Sequence, residues 1–314
     1  MARILFIKTS SLGDVIHHMP AVSDARKADG GAVFAWLVEE AFAPLVRLHP
    51  AVDEVIPVAW RRWRKSLYAP QTLAEITGSL RGVRLRSYDD IVDTQGLLRS
   101  ALMARIARGH RHGYDAASIR EPLASFFYDA RYRVARELHA VERNRMLTGH
   151  ALGYTPQAEP DFGLDRARFA TAGSNYAVLL HSTARSEKLW PESHWIALGK
   201  MLPPGIEFRL PWGTDPELVR SKRIADNLTG ARVTERMPLD DVARLIAGAR
   251  YVVGVDTGLL HLAAALGVPL VAIFTGSQPT LTGPVGSGPI AVLGANGAPP
   301  SVEAVANAVV QVCR

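Results

Sequence analysis

The chain of 314 residues has almost no cysteine and no long apolar run. Its single cysteine, Cys313, cannot form a disulfide within the chain, which excludes a disulfide-stapled fold and fits a reducing compartment. No uninterrupted apolar run approaches the roughly 20 residues that a membrane-spanning helix needs. The first residues lack the apolar core and cleavage site of a signal peptide. We therefore expect a cytosolic protein, or one that binds peripherally to a membrane.

Three familiar ligand-binding motifs are also absent. No Gly-x-Gly-x-x-Gly follows a strand, which argues against a nicotinamide dehydrogenase, and no Gly-x-x-x-x-Gly-Lys-Ser/Thr occurs, which excludes a P-loop enzyme. Asp-x-Asp, the usual carboxylate clamp for a metal bound to a sugar nucleotide, is missing. The ten histidines form no cluster with zinc-ligand spacing. If the protein binds a pyrophosphate, we expect protein donors rather than a metal to stabilise its charge.

What the sequence does contain is basic charge, most of it arginine. The formal net charge is +6, and only six of the 36 basic residues are lysines. An arginine-rich surface suits phosphates, carboxylates, nucleic acid or an anionic membrane face, and composition does not choose among them. The length and the 48% hydrophobic content favour two domains.

Two series of alternating strand and helix patterns run along the chain. Strands are predicted at residues 3–8, 32–38, 54–58, 90–93, 176–181, 206–210, 251–255 and 270–274. The short polar segment 153–160 predicts a linker. The sequence thus predicts an α/β fold with two Rossmann-like domains, residues 1–155 and 161–314, whose parallel sheets face a central cleft. A last amphipathic helix, capped by Ser301, belongs to the second domain or packs back on the first.

The most informative segment is residues 251–276, which has the pattern strand, turn, helix, strand. Asp256, Thr257 and Gly258 form the turn, where backbone N–H groups and the helix dipole favour an anion. The segment therefore predicts a site for a phosphorylated ligand. His261, one turn into the helix, is either a satisfied, partly buried histidine or a contact to phosphate or sugar.

The loop after the first strand carries the best candidate for proton transfer. Asp14 lies at the carboxyl end of a strand, where it can act as a general base. Alternatively, it caps a helix that begins at Val15, since aspartate is a preferred capping residue. Ser10 and Ser11 offer hydroxyls, and Gly13 lets the backbone approach a substrate.

The loop at residues 181–188 follows a strand in the second half. Thr183 offers a hydroxyl, and Lys188 offers a point charge, which suits a phosphate. An ordinary polar loop remains the alternative. Glu217, after the next strand, can accept hydrogen bonds from ribose hydroxyls, although acidic residues in loops are common.

Residues 60–65 hold four positive charges and two indoles. Such a cluster can grip an acidic ligand, or nucleic acid through stacking and phosphate pairing. A solvated loop is the alternative. Because two exposed tryptophans would be unusual in a loop, we favour a binding role for Trp60, Trp63 and their basic neighbours.

Together these features resemble the lipopolysaccharide heptosyltransferase I branch of glycosyltransferase family 9, whose fold is GT-B. The similarity runs over nearly the whole chain. It rests on the motifs KTSSLGDVIHHMPAV, VEEAFA, VIPVAWRRWRK, REPLASFFY, HAVER, LPWG and VDTGLLHLAAAL. Residues 51–65 and the REPLAS motif favour this branch over the second heptosyltransferase.

The resemblance implies an inverting transfer without metal or other cofactor. L-glycero-D-manno-heptose would move from ADP-heptose to a Kdo sugar of Kdo-lipid A, with Asp14 as the catalytic base. The protein would work as a monomer, peripherally on the cytoplasmic face of the inner membrane. Other members of family 9, or a sugar-nucleotide epimerase of the same fold, are the nearest alternatives. A nucleic-acid-binding protein is the remote one.

The resemblance also assigns site residues by position. The donor site corresponds to Thr183, Ala184, Lys188, Glu217, Met237, Asp256, Thr257, Gly258 and His261. The acceptor site corresponds to Ser10, Ser11, Gly13, Arg61, Arg64, Lys65 and Arg120. Within the donor site, Thr183 and Lys188 would contact the phosphates and Glu217 the ribose, while Met237 lines the adenine side. Ala184 departs from the family, which often has a second threonine there, so one hydroxyl contact is lost.

Overall fold

A computed structural model describes residues 1–156, 159–169 and 175–314. The chain forms two compact units, Met1–Gly163 and Leu164–Arg314. The predicted linker at residues 153–160 includes residues 157–158, which lie outside the described residues. Across the described ranges, no helix combines the length and the apolarity needed to cross a membrane.

In the described part of the first unit, the strands form one parallel sheet of six. The strands are β1 (Arg3–Ile7), β2 (Val33–Glu39), β3 (Glu54–Val58), β4 (Ser87–Asp93), β5 (Arg108–Tyr114) and β6 (Ala130–Tyr132). The α-helices are α1 (Leu12–Ala28), α2 (Ala43–Val46), α3 (Trp60–Trp63), α4 (Pro70–Leu85), α5 (Leu98–Ile106) and α6 (Ala140–Leu152). Two 3-10 turns cover Glu40–Phe42 and Pro122–Phe127.

The strand order of the first sheet is β3-β2-β1-β4-β5-β6, so the order reverses between β1 and β4. β1 and β2 lie in the middle because they are apolar on both faces, as buried parallel strands must be. The loops that follow β1 and β4 diverge at this reversal. In open α/β sheets, such a switch point at the carboxyl ends of the strands is where ligands bind.

The second unit repeats this plan in its described residues. Its strands are β7 (Tyr176–Leu180), β8 (Glu207–Leu210), β9 (Ala231–Val233), β10 (Tyr251–Val255), β11 (Leu270–Phe274) and β12 (Ile290–Gly294). Its α-helices are α7 (Glu192–Met201), α8 (Asp215–Ala225), α9 (Leu239–Gly248), α10 (Gly258–Ala265) and α11 (Val302–Val312). Two 3-10 turns cover Arg166–Arg168 and Ser186–Lys188. The order β12-β11-β10-β7-β8-β9 reverses between β10 and β7, which makes a second switch point.

The predicted α/β fold with two Rossmann-like sheets is confirmed. The last helix, α11, contributes Val305, Val309 and Val312 to the core of the second unit. Its predicted cap is also confirmed, because the Ser301 hydroxyl accepts a hydrogen bond from the Ala304 amide at 3.2 Å.

The predicted strands do not include β5, β6, β9 and β12, although β12 reads IAVLG and is an apolar run. β5 reads RGHRHGY, whose charged and glycine residues do not resemble an apolar strand. It is stabilised instead by partners from neighbouring segments. The His112 ring, for example, lies 2.9 Å from an Asp90 oxygen of β4 and 3.0 Å from the Tyr132 hydroxyl of β6.

Candidate active site

The loop between β1 and α1 is held in shape by a residue from the other side of the switch point. The Gln95 side-chain oxygen accepts hydrogen bonds from the amides of Thr9 at 2.9 Å and Ser10 at 3.0 Å. Gln95 follows β4 and is anchored in turn, because its own amide donates to Asp93. Gln95 could not be assigned from the sequence, since a single glutamine in a loop carries no distinctive pattern.

Asp14 lies in the third position of α1, where it bonds back to the N-cap residue but is not the N-cap itself. The helix begins at Leu12 with Ser11 as its N-cap, so the interpretation of Asp14 as the cap of a helix beginning at Val15 is wrong. Asp14 Oδ2 accepts hydrogen bonds from the Ser11 amide at 2.7 Å and the Ser11 hydroxyl at 3.0 Å. Among the described residues, Oδ1 accepts no hydrogen bond, and the side chain is half-buried. One oxygen therefore orients the carboxylate, while the other can receive a proton.

A buried lysine lies behind this loop. Lys8 Nζ donates to the Thr94 carbonyl at 2.8 Å and to Asn144 Oδ1 at 3.3 Å. Burial lowers the pKa of Lys8, and the nearby carboxylates of Asp14 and Asp93 oppose that shift. These hydrogen bonds connect the end of β1 to the segment after β4. The buried polar groups behind the loop therefore bond to one another.

The basic cluster at residues 60–65 contains a short helix, and its tryptophans are not a free binding surface. Trp63 is only 3% exposed, and its indole N–H donates to Glu75 at 2.9 Å. Trp60 packs edge-on against Trp63, with ring centroids 5.5 Å apart. Arg62 forms ion pairs with Glu40 and Glu75. The expectation of two exposed tryptophans is therefore wrong, because the indoles anchor the cluster to the core.

The remaining cations of that cluster face solvent. The Arg61 guanidinium stacks over the Phe42 ring at 4.8 Å, and its amide donates to Glu39 at 3.1 Å. Arg64 and Lys65 are exposed, and within the described ranges no carboxylate lies within ion-pair distance of either. These three side chains can therefore meet an anionic ligand without first breaking an ion pair.

A second group of cations surrounds Ser10. Arg99, at the start of α5, donates from Nη2 to the Ser10 hydroxyl at 2.8 Å. Arg99 and Arg120 line an open cavity of about 410 Å³ with Leu97, Leu98 and Glu121. The structure thus brings the predicted residues Ser10 and Arg120 together through Arg99, which the sequence analysis missed.

Glu39, at the end of β2, links the two groups of cations. Burial raises the pKa of Glu39, and the positive charges of Arg61 and Arg99 oppose the shift. The carboxyl edge of the first sheet thus gathers arginine charge near the buried Glu39 carboxylate.

In the second unit, Asp256 is the centre of the polar residues at the switch point. Its Oδ2 accepts hydrogen bonds from Lys188 Nζ at 2.6 Å and from the Ser277 hydroxyl at 2.5 Å. The Thr183 hydroxyl donates to the Asp256 carbonyl at 3.0 Å. Burial raises the pKa of Asp256, but Lys188 and Ser277 more than offset it, so the pKa lies below its usual range. The predicted residues Thr183, Lys188 and Asp256 therefore form one cluster.

The N-terminus of α10 adjoins this cluster. Thr257 is its N-cap in extended conformation, and Gly258 is its first residue, so the first amides of the helix have no helical partner. His261 is buried, with Nε2 4.0 Å from Asp256 Oδ1. The half-exposed amides, the lysine and the hydroxyls form an arrangement that suits an anion, and the phosphate site at residues 251–276 stays a prediction.

The loop after β11 supports the cluster from one side, and the sequence analysis missed it. The Thr275 hydroxyl donates to the Glu187 carbonyl at 2.8 Å. A Cβ on Gly276 would lie 2.6 Å from that same oxygen, so only glycine permits this approach. The Thr-Gly-Ser sequence directly after a predicted strand is the signal that could have identified Ser277 and its neighbours.

Glu217 and Met237 follow the next two strands of the same sheet edge. Glu217 is the third residue of α8, and its Oε2 accepts hydrogen bonds from the amides of Gly213 at 2.7 Å and Thr214 at 3.1 Å. Met237 lies half-buried after β9, and Ala184 is exposed in the loop after β7. All follow carboxyl ends of parallel strands, as a ligand that spans the edge would require.

Comparison with known proteins identifies the family. The model of glycosyltransferase family 9 (heptosyltransferase) matches residues 78–308. Lipopolysaccharide heptosyltransferase 1 of Pseudomonas aeruginosa is 48% identical over 293 residues, which cover 90% of this chain and 81% of that protein. The predicted family is thus confirmed by sequence.

Solved structures agree. E. coli heptosyltransferase WaaC with ADP superposes with a TM-score of 0.92 at 40% identity, covering 98% of this chain and 99% of that one. The structure of the same enzyme with ADP-2-deoxy-2-fluoro heptose superposes with a TM-score of 0.86 at 42% identity, and the match covers 98% of each chain. The predicted GT-B fold and glycosyltransferase class are confirmed. This chain belongs to glycosyltransferase family 9, the heptosyltransferases.

Proposed function

We propose that this enzyme transfers L-glycero-D-manno-heptose from ADP-heptose to a Kdo sugar of Kdo-lipid A, in the synthesis of the lipopolysaccharide core. The observation that carries the proposal is the cluster of Lys188, Asp256 and Ser277 beside the N-terminus of α10. This cluster offers the positive charge and the hydrogen-bond donors that a nucleotide diphosphate needs. Relatives with ADP or an ADP-heptose analogue bound support the nature of the nucleotide.

The donor would bind along the carboxyl edge of the second sheet. Lys188, Thr183 and the amides of Thr257 and Gly258 would hold the diphosphate, and Ala184 would contribute its backbone amide. These groups supply positive charge and N–H donors where negative charge develops as ADP leaves. They support a mechanism without metal, because preorganised protein donors can do the work of a cation.

The remaining donor-site residues would contact the ribose, the adenine and the sugar of the nucleotide sugar. Glu217 would accept hydrogen bonds from the ribose hydroxyls through the oxygen that the helix cap leaves open, and Met237 would contact the adenine. His261 and Asp256 would adjoin the sugar and the phosphate nearest to it. The ion pair between Lys188 and Asp256 holds the lysine ready for the phosphate.

Asp14 would act as the general base. Its Oδ1 would take the proton from the Kdo hydroxyl as that oxygen attacks the anomeric carbon of the heptose. The bond from this carbon to the ADP phosphate oxygen breaks as the new glycosidic bond forms. A single displacement of this kind inverts the configuration, and ADP leaves with the electron pair.

The acceptor would bind at the edge of the first sheet through its negative charges. Arg61 and Arg64 would pair with carboxylates and phosphates, because the guanidinium fork matches two oxygens of either anion, and Lys65 would add a point charge. Arg120 and Arg99 would add a second contact around Ser10. Ser11 completes this loop, while Gly13 is buried in the first turn of α1 and its contact with the acceptor stays a prediction.

The decisive experiment is a donor and acceptor panel with the purified enzyme. We expect transfer from ADP-heptose to Kdo-lipid A, no transfer to lipid A without Kdo, and little from other nucleotide sugars. Activity should survive excess EDTA, and NMR of the product should show inversion at the anomeric carbon. Epimerisation of the donor without transfer, or salt-dependent binding of DNA with no transfer, would reject the proposal in favour of the alternatives.

We also propose that the enzyme works peripherally on the cytoplasmic face of the inner membrane, where its lipid acceptor is anchored. The support is a group of large, exposed apolar side chains on α5 and on the neighbouring turn Pro122–Phe127, beside the cavity lined by Arg99 and Arg120. These side chains are Leu98, Leu102, Leu123 and Phe126. Exposed apolar residues rimmed by cations suit an anionic lipid surface.

Vesicle binding tests this surface. Leu123→Ser with Phe126→Ser should lower sedimentation with phosphatidylglycerol vesicles at least about tenfold, because two side chains of this size each contribute roughly 1.5–3 kcal/mol when buried. Turnover of a soluble Kdo acceptor should stay at the wild-type level. Met201→Ser, which removes an exposed apolar side chain from the second unit, is the control. Unchanged vesicle binding by the double variant contradicts the assignment.

A further inference from the structure

The loop that carries Thr183 and Lys188 is tied at both ends by one arginine. Arg220, in α8, donates from Nη2 to the Trp190 carbonyl at 2.6 Å and from Nε to the His181 carbonyl at 3.3 Å. These two carbonyls flank the loop. A single planar side chain therefore spans the base of the segment that holds the candidate phosphate contacts.

The chemistry of the guanidinium group makes this a rigid connection. It presents five N–H donors in one plane, so it can serve two carbonyls and a carboxylate together. The third partner of Arg220 is Glu192, at 2.9 Å from Nη1. His181 and Trp190 are fully buried residues. Loss of the arginine would leave their carbonyls without this partner, which favours a rearranged loop.

A neighbouring contact from the same helix reinforces the connection. The His181 ring lies 2.8 Å from the hydroxyls of both Ser221 and Ser182. Burial lowers the pKa of His181 to about 3, so the ring stays neutral and can bridge one donor and one acceptor. Ser221 also donates to the Glu217 carbonyl at 3.0 Å. The loop is thus fastened to α8, the helix that begins near the candidate ribose contact.

We propose that Arg220 is a positioning residue for the donor diphosphate. It holds the ends of the loop at residues 182–189 so that Thr183 and Lys188 meet the phosphates in a preorganised arrangement. Without it, the loop loses its orientation, and the energy of ordering it must come from the ligand. The inference rests on the proposed function only in taking the ligand to be a nucleotide diphosphate.

The chain offers a matched control one helical turn away. Arg223 binds the same carboxylate, with Nε 2.9 Å from Glu192 Oε2 and Nη2 2.7 Å from Oε1. Its side chain is 56% exposed, against 13% for Arg220. In the described ranges, Arg223 donates to no carbonyl of the loop. The two arginines therefore share an ion-pair partner and differ in the carbonyl contacts.

The experiment compares Arg220→Gln, Arg220→Lys, Arg223→Gln and Glu192→Gln. Calorimetric titration with ADP and with adenosine separates diphosphate binding from nucleoside binding. We expect Arg220→Gln to weaken ADP binding at least tenfold while adenosine binding changes less than twofold. The ADP affinity of Arg220→Lys should lie between those of the wild type and Arg220→Gln, because an ammonium group cannot make all the contacts of a planar guanidinium group. Arg223→Gln and Glu192→Gln should stay within threefold of the wild type for both ligands.

Hydrogen–deuterium exchange without ligand provides a readout that does not depend on ADP. Amides of residues 182–189 should exchange at least tenfold faster in Arg220→Gln and at the wild-type rate in Arg223→Gln. In kinetics, the KM for the donor should rise while the KM for the acceptor stays constant. If Arg220→Gln does not fold, the same comparisons with Arg220→Lys decide the question.

Several outcomes would overturn the inference. ADP binding and loop exchange by Arg220→Gln that match Arg223→Gln would remove any positioning role. Equal losses for ADP and adenosine would show a general structural defect, and a Glu192→Gln variant as weak as Arg220→Gln would assign the effect to the ion pair. A wild-type enzyme that binds ADP no better than adenosine would instead reject the donor site, whatever the exchange data show about Arg220.

Discussion

The two carboxylates assigned to opposite halves of the reaction share one local structure. Asp14 and Glu217 each occupy the third position of a helix, and each accepts hydrogen bonds from backbone just before it. This arrangement stabilises a helix start and turns the carboxylate toward the carboxyl edge of the sheet. The choice between a structural and a functional role for Asp14 therefore disappears, because one oxygen can serve each.

Replacement of Asp14 tests its role as base. Asp14→Asn keeps an oxygen for the Ser11 contacts but cannot take a proton, so we expect kcat to fall by about 10²–10⁴-fold. Asp14→Ala should match that loss and also cost about 1 kcal/mol of stability, since the helix start is weakened. Steady-state kinetics and thermal unfolding measure the two effects.

The control for this experiment lies at the other end of the same helix. Asp29→Asn should retain wild-type turnover. ADP affinity should stay within twofold of the wild type in each variant, because the candidate donor contacts lie in the second unit. An Asp14→Asn enzyme with kcat within tenfold of the wild type would exclude Asp14 as the base.

The basic cluster at residues 60–65 shows that residue types alone can predict a binding surface wrongly. Arginine beside tryptophan has the composition of a binding surface, yet Trp63 is buried and Arg62 is neutralised by Glu40 and Glu75. A pattern of four positions cannot tell which side of a short helix faces the core. The neighbours that decide this come from other elements of the unit.

At the scale of elements, the loops that form the candidate donor site support one another. The turn Ser186–Lys188 carries the lysine, and the loop after β11 packs directly against it through Thr275 and Gly276. Both loops follow strands that the apolar pattern predicted correctly. Their mutual support had no signal in either segment taken alone.

A substitution at Gly276 tests this packing. In Gly276→Ala, the new Cβ would lie 2.6 Å from the Glu187 carbonyl oxygen and 2.9 Å from its carbon, which forces the turn to shift. We expect the KM for the donor to rise about tenfold, because Lys188 moves with the turn and misplaced contacts are costly. The KM for the acceptor should not change.

The control for Gly276→Ala is another glycine with open space around it. In Gly78→Ala, on α4, the added methyl would meet nothing within 4 Å. That variant should keep wild-type kinetics and unfold at a slightly higher temperature, because alanine favours a helix by roughly 0.5–1 kcal/mol over glycine. A Gly276→Ala enzyme with the wild-type KM for the donor would refute the supporting role of this loop.

At the scale of the whole molecule, each unit contains a histidine that burial keeps neutral. Burial lowers the pKa of His49 in the first unit to about 4 and that of His181 in the second unit to about 3. In the unfolded chain, both would titrate near 6.5. As the pH falls, both histidines therefore take up protons in the unfolded chain at a higher pH than in the folded protein.

This difference predicts the sense of the pH dependence. Above pH 6.5 both histidines are neutral in the folded and in the unfolded state, so their protonation takes nothing from the free energy of unfolding. Between pH 6.5 and about 3–4 the free energy of unfolding falls, by roughly 2 kcal/mol per histidine at pH 5. Thermal unfolding at pH 7.5 and pH 5.0 measures the loss.

A variant isolates the contribution of one histidine. His181→Asn should be less stable than the wild type at pH 7.5, because it loses two hydrogen bonds, but its stability should fall less between pH 7.5 and 5.0. A wild type that is as stable at pH 5.0 as at pH 7.5, or a variant with the same slope, would contradict this account.

The sequence alone determined most of the alternation of strands and helices, the loops that hold the candidate site residues, and the family. Apolar periodicity is local, and motifs in a fixed order are visible in one dimension, so Asp14, Thr183, Lys188 and Asp256 could be assigned before any coordinates. The polar strands, β5 above all, could not be predicted, because contacts from neighbouring strands stabilise them and their own residues show no apolar pattern.

Only the tertiary structure decided which charges are free and which residues support the sites. Arg99 meets Ser10 across 89 positions of the chain, and Lys188 meets Asp256 across 68. Arg220 holds two carbonyls that lie well before it in the chain. Such contacts form because parallel strands bring distant loops to one edge of a sheet. No local pattern of residues records that convergence.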